Sequence, residues 1–160
     1  MRPHHAAVIF DFDGVLGRTM DDNYRAWARA FAAAGIALGR EEYLLLEGAS
    51  AREIATIFLA RHGADPGRAG DLARSKDRHY LADNSFDFYP GARQLLDDLR
   101  ARFVLGLASG ASALRLRQTV GDDFLRLFAG VVTADRVARN KPDPEPFLLC
   151  ARELRQPPDA

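Results

Sequence analysis

Two carboxylates set two residues apart, Asp11 and Asp13, stand at the end of an apolar run, Ala6-Ala7-Val8-Ile9-Phe10, and Gly14 follows at once. Side chains alternate faces along a strand, so Asp11 and Asp13 leave from one side, Phe10 and Phe12 from the other. Held that close, two carboxylates repel unless a cation lies between them or one keeps its proton. A hard divalent cation such as Mg²⁺ takes carboxylate and backbone oxygens and leaves room for phosphate oxygens. An ionised Asp can also attack as a nucleophile while its neighbour shuttles a proton. A strand that merely runs into a turn would use the same residue types, since Asp and Gly are common there. The motif by itself leaves both readings open.

The elements that must hold these groups follow from the apolar pattern. Residues 6–10 do not alternate apolar with polar, which predicts a strand buried on both faces of a parallel sheet. Gly14 permits the sharp exit from it. Open α/β sheets gather their chemistry at such strand ends. A long helical stretch comes next. Asp21 or Asp22 is expected to cap a helix carrying Trp27, Ala30, Phe31 and Ala34, closed by Gly35. Residues 41–47 read as a short helix. Ser50-Ala51-Arg52-Glu53 has the form of a capping box, opening a third helix with Ile54, Ile57 and Phe58 that stops at Gly63. Residues 67–83 supply a fourth, with Leu72, Lys76, His79 and Tyr80 near one side.

Strands return after residue 86. Pro90-Gly91 precedes an amphipathic helix with Leu95, Leu96 and Leu99, and residues 103–108 form a strand ending at Ser109-Gly110. Ser109 could offer its hydroxyl and N–H to phosphate oxygens, or simply cap the helix that follows. Residues 113–120 and 122–128 are helical, 130–133 a third strand, and 145–154 a last helix. Between them Lys141-Pro142-Asp143-Pro144 makes a stiff loop.

Composition narrows the function classes. The 160 residues suffice for one domain with an appendage, and 48% are apolar, ample for a core. Acidic and basic residues balance at 22 each, giving no electrostatic case for a nucleic-acid partner or a membrane surface. Nothing approaches a membrane span or a signal-peptide layout. Cys150 is the single cysteine, so no internal disulfide forms and a reducing, cytoplasmic setting is expected. His4 and His5 could chelate a metal, or be a solvated terminal pair. Among the 22 basic residues only Lys76 and Lys141 are lysines. A compact ammonium suits a phosphate as a point charge, whereas Arg brings a planar fork.

The blocks Asp11-Phe12-Asp13-Gly14-Val15-Leu16, Ala108-Ser109-Gly110 and Lys141-Pro142-Asp143-Pro144 occur in order, and with them the chain resembles the haloacid dehalogenase superfamily, in its β-phosphoglucomutase-like branch. The resemblance covers essentially the whole chain. It implies an α/β fold: a Rossmann-like parallel core of residues 1–17 and 86–160, with a helical cap inserted at residues 18–85. It also implies roles. Asp11 attacks phosphorus to form an aspartyl-phosphate, Asp13 is the general acid and base, and both help hold Mg²⁺. Ser109, Gly110 and Lys141 bind phosphate. Asn23, Trp27, Ser50, Arg52 and Lys76, together with Gly48, fall near cap positions that face substrate. Trp27, spaced with Phe31, also reads as cap core.

Some residues depart from that pattern. Asn23 stands where the compared mutases carry His, Arg52 is displaced by one from a phosphate-binding Arg, and Arg18 replaces the usual Asp before Thr19. The resemblance further implies a core strand beyond Ala160 that ends in an acidic pair completing the Mg²⁺ site and lies beside the first strand. The chain is therefore read as a piece of a longer protein, or one borrowing a strand, with its first strand an open edge capable of self-association. Three functions are weighed. The first is a Mg²⁺-dependent phosphatase of small phosphomonoesters, of sugar phosphate or phosphoglycolate type. The second is a sugar phosphomutase. The third is an inactive fragment or binding module; the parent protein is read as an enzyme, and the 160 residues alone are expected to be weak or inactive.

Overall fold

The computed structural model describes residues 7–156, so His4 and His5 lie outside the described residues. Three short strands, β1 (Ala7–Phe10), β2 (Val104–Ala108) and β3 (Gly130–Val132), form a parallel sheet in the order β1-β2-β3. Phe10 stands opposite Leu107, and Gly106 opposite Gly130. Parallel neighbours need long crossovers, and here helices supply them. Between β1 and β2 come α1 (Met20–Ala32), α2 (Arg40–Leu44), α3 (Ala51–Arg61), α4 (Ala69–Ala82) and α5 (Ala92–Arg100). Helix α6 (Ala113–Leu125) joins β2 to β3, and α7 (Glu145–Glu153) follows.

The apolar residues sort into separate cores. Phe12, Leu16, Leu96, Leu105, Leu107, Leu116 and Phe124 fill one face of the sheet beneath α5 and α6. On the other face α7 brings Cys150 and Leu154 against Ala108 and Val132. Gly106 is required there, because a Cβ would lie 2.6 Å from the Cys150 sulfur and 2.8 Å from Leu154. A second core belongs to α1–α4 alone, with Trp27, Phe31, Tyr43, Ile54, Phe58 and Leu59 buried together. The fold is thus the α/β core with an inserted helical cap that the motifs predicted.

Several local expectations change. All four β1 residues are only half-buried, because among the described strands β1 pairs with β2 alone and forms the sheet edge. Neither Asp21 nor Asp22 caps α1. Thr19 occupies the cap position, but its hydroxyl donates to Asp13 at 2.7 Å instead of capping. Asp21 pairs with Arg40, and Asp22 is buried, accepting from the Ser85 N–H (3.0 Å) and hydroxyl (3.1 Å) while pairing with Arg25. Asp22 thereby ties the two linkers of the helical insertion together. Those linkers also pair through backbone, Arg18 N–H to Asp87 and Tyr89 N–H to Leu16. The capping box holds: the Ser50 hydroxyl accepts from the Glu53 N–H, and Glu53 accepts from the Ser50 N–H. The fourth helix begins as a 3-10 turn at Pro66–Arg68. The break expected near residue 121 is Gly121 itself, non-helical at φ 77°.

Candidate active site

Chain direction sets the two acids. After Phe10 the backbone turns at Gly14 (φ 74°), and the Phe12 carbonyl accepts from the N–H groups of Val15, Leu16 and Gly17. Phe12 is fully buried between Phe86 and Phe124, which leaves Asp11 and Asp13 facing one cavity on the opposite side. One Asp11 oxygen accepts from the Phe12 N–H at 2.7 Å. The other pairs with the Lys141 ammonium at 2.7 Å. Burial raises the Asp11 pKa more than Lys141 lowers it, so the carboxyl sits above its ordinary value. Lys141 also donates to the Ala108 carbonyl at 3.4 Å, which docks the Lys141-Pro142 loop against the end of β2.

Asp13 has a different environment. Its oxygens accept from Arg115 (2.5 and 3.2 Å), Thr19 (2.7 Å) and Asn23 (3.1 Å). Burial works to raise its pKa, but the charge and hydrogen bonds of Arg115, aided by Thr19 and Lys76, hold it well below the carboxylate range. Adjacent carboxylates with opposite shifts are the pattern that separates chemical roles.

The other anticipated residues divide between two spaces. A small inner cavity of about 30 Å³, room for roughly one water, is lined by Asp11, Asp13, Asn23, Trp27, Lys76 and Lys141. An outer cleft of about 840 Å³ opens beside it, reached by Asp11 and Lys141 and lined by Ser50 and Arg52. Gly110 borders the inner cavity at a close approach, where a Cβ would stand 2.9 Å from the Gly48 carbonyl and 3.1 Å from that of Ala49. Ser109 is buried behind it, and its hydroxyl accepts from the Ala111 N–H. The helix cap is Ser112, not Ser109. Trp27 does both jobs, stacking on Phe31 in the cap core while edging the cavity. The Ser50 hydroxyl is engaged with Glu53, and Arg52 is exposed on the outer cleft only.

Four groups escaped sequence reasoning: Arg115, Thr19, Asp77 and Glu47. Asp77, on α4, accepts from the Ser112 hydroxyl of α6 at 2.8 Å and so latches cap to core. The signal for Arg115 was faint, one Arg among twenty whose partner is 102 residues away.

Lys76 yields a prediction about pH. It is 4% exposed, and burial, with the Arg115 charge, pushes its pKa down to about 8. Between there and the ordinary lysine value the unfolded chain binds the extra proton, so stability rises with pH in that window. Buried Cys150, raised to about 11, opposes this, so the comparison must be with a variant. Urea unfolding at about pH 7.5 and about pH 9.5 should show wild type gaining stability relative to Lys76→Met. Parallel behaviour of the two would contradict a buried, charge-penalised amine.

A carboxylate paired with a lysine at a parallel strand end, under a helical roof, puts an oxygen that can act as a nucleophile beside a cation that can receive an anionic group. The chain belongs to the haloacid dehalogenase-like hydrolases, whose family profile matches residues 5–160. It is 31% identical to Protein CbbY of Cereibacter sphaeroides, over 96% of this chain and 72% of that protein. It is 31% identical to the β-phosphoglucomutase of Bacillus subtilis (92% and 69% covered) and 30% to a phosphoglycolate phosphatase of Cereibacter sphaeroides (93% and 72%). Among solved structures, CbbY from Rhodobacter sphaeroides in complex with xylulose-1,5-bisphosphate superposes with a TM-score of 0.80 at 30% identity, over 97% of this chain and 75% of that one. No described helix is long and apolar enough to cross a membrane.

Proposed function

We propose that the protein is a Mg²⁺-dependent phosphatase of small phosphomonoesters, of sugar phosphate or phosphoglycolate type, working in the cytoplasm with residues 18–85 as its cap. The observation that carries this is the Asp11–Lys141 pair at 2.7 Å, open to an 840 Å³ cleft large enough for a small ester. Asp11 attacks phosphorus, the bond to the leaving oxygen breaks, and an aspartyl-phosphate forms. Lys141 neutralises charge on the transferring group, and the Gly110 N–H at the end of β2 is the neutral donor on the cavity wall; Ser109 has only its hydroxyl to offer, because its N–H is spent on the Val132 carbonyl at 2.9 Å and its side chain is buried behind Gly110. Paired with Arg115, Asp13 is ionised, so that pair opens and Asp13 takes a proton from solvent before it can donate. It gives this proton to the leaving oxygen, then takes one from the water that attacks phosphorus, and the Asp11–phosphorus bond breaks to release phosphate and the free Asp11 carboxylate. The amide of Asn23 binds Asp13 and carries no proton to relay, which favours hydrolysis over the mutase reading.

The metal fits in a restricted way. Among the described residues no third acid, His or Cys joins Asp11 and Asp13 in a metal-holding group, and the Asp13 oxygens are taken by Arg115, Thr19 and Asn23. Asp11 faces the cleft with one partner on each oxygen, the Phe12 N–H and Lys141, so a remaining lone pair there would be the protein's contribution, and Mg²⁺ commonly uses one or two carboxylates and completes its shell with water and substrate phosphate. When bound it would polarise the phosphoryl oxygens. The full-length protein should release phosphate from 2-phosphoglycolate or fructose 1-phosphate with Mg²⁺, and stop when EDTA removes the metal. Conversion of β-glucose 1-phosphate to the 6-phosphate with a bisphosphate primer, without phosphate release, would replace this reading with the mutase. A folded chain that releases nothing across the panel would leave the binding module.

A further inference from the structure

The inner cavity holds a cation that the phosphatase scheme uses only as a partner of Asp13, with no part in binding substrate. Arg115 projects from the first turn of α6, is 3% exposed, and lies with its guanidinium 4.8 Å over the Tyr80 ring. Two of its nitrogens donate to Asp13, and its Nε has no hydrogen-bond partner, the nearest acid being Asp77 at 3.9 Å. Asn23 Oδ1 and Glu47 Oε2 on the same cavity wall are likewise buried without partners. A second buried cation, Lys76, stands 3.4 Å from Asp77 and 5.9 Å from the Trp27 ring. Buried polar atoms are normally paired, so a cluster of unpaired ones around a small cavity marks a place where a polar ligand group completes the set.

The position of Arg115 says which group. A leaving oxygen that hydrogen-bonds Asp13 stands about 3 Å from it, and the Arg115 nitrogens are already 2.5 and 3.2 Å from those same Asp13 oxygens. Atoms one or two bonds beyond the leaving oxygen therefore come within reach of the guanidinium. A carboxylate or second phosphate there accepts the planar fork in place of Asp13, whereas a neutral hydroxyl cannot compete for it. The cavity beside Arg115 holds about one water and the Asp77–Ser112 bond borders it, so the incoming oxyanion takes the place on the guanidinium that Asp13 gives up.

We propose that Arg115 selects phosphate monoesters whose leaving group carries a second oxyanion, exchanging Asp13 for that oxyanion as substrate binds. This rests on the phosphatase reading and narrows it.

The test uses a matched pair, 2-phosphoglycolate and 2-hydroxyethyl phosphate, which differ only in a carboxylate against an alcohol. Wild type should favour 2-phosphoglycolate in kcat/KM by about ten- to hundredfold, the range of a hydrogen-bonded charge pair, and Arg115→Gln should collapse that ratio towards unity while Arg115→Lys keeps part of it. Calorimetry on the Asp11→Asn variant, with and without Arg115→Gln, reads the same preference as affinity without turnover. An unchanged ratio in Arg115→Gln, or equal wild-type affinity for the two esters, would reduce Arg115 to a structural brace for Asp13. If neither ester is hydrolysed yet calorimetry still shows the Arg115-dependent preference, the phosphatase reading fails and the oxyanion site stands. Should Arg115→Gln misfold by circular dichroism, Arg115→Lys decides: a full, undiminished preference there overturns the planar-fork argument.

Discussion

Asp11→Asn should lower phosphate release by at least about a thousandfold, since on the proposed scheme it removes the covalent nucleophile and with it the step itself, not merely an interaction that assists it. The replacement is nearly isosteric. Its amide oxygen can still accept from the Phe12 N–H, so the strand end keeps its shape. What disappears is the charge: an amide neither attacks phosphorus nor pairs with the Lys141 ammonium. Lys141 then sits half-buried without its anion and binds inorganic phosphate or an uncleaved ester at least as well as before. The expected signature is therefore split, with kcat falling by orders of magnitude while equilibrium binding of the ester persists. Coupled-enzyme phosphate detection gives the first and calorimetry the second. Residual turnover above about a hundredth of wild type would move the nucleophile elsewhere. Loss of binding together with turnover would mean that Asp11 mainly holds the Lys141 loop in place.

The legible part of this site was written in local pattern. An apolar run ending in Asp-x-Asp-Gly announces a strand, its end and its turn through residues that are neighbours in sequence. The Ser50–Glu53 capping box is equally local, and it is present as read. Lys141 was visible because lysine is scarce here, although nothing local says that a loop 130 residues downstream would meet Asp11. The resemblance supplied that. What stayed hidden is non-local and lacks a distinguishing residue type. Arg115 reaches Asp13 from α6, 102 residues further along the chain, and one Arg in a chain rich in Arg carries no mark of burial. Thr19 stands at the N-cap position of α1, yet its hydroxyl goes to Asp13 and caps nothing. Ser112 displaced Ser109 as the α6 cap because the chain takes one further turn after β2. Asp22 read as a cap because its true partner, Ser85, lies 63 residues on. In each case a side-chain partner chosen by tertiary structure overrode a local preference.

Phe12→Ala should destabilise the protein by about 3–5 kcal/mol, the cost of a large buried aromatic truncated in a packed core. Phe12 has no exposed surface and contacts Phe86 at 5.7 Å and Phe124 at 6.3 Å between ring centroids. It also fills the space beside Gly17, where its ring would stand 2.8 Å from a Cβ. The residue matters beyond stability because it sits between the two acids. Its inward anchor is what turns Asp11 and Asp13 towards the cavity, and its carbonyl gathers the N–H groups of the turn. A cavity at Phe12 loosens that turn, and catalysis is sensitive to displacements of about 1 Å. Phe58→Ala provides the contrast. Phe58 is equally buried, but in the helical core with Phe31, remote from the β1 turn. Urea unfolding should report comparable losses for the two variants, while kcat measured well below either unfolding transition should fall at least about tenfold for Phe12→Ala and stay near wild type for Phe58→Ala. Equal kcat in both would show that the acids are aimed by the strand and its turn alone, with the aromatic anchor contributing only packing.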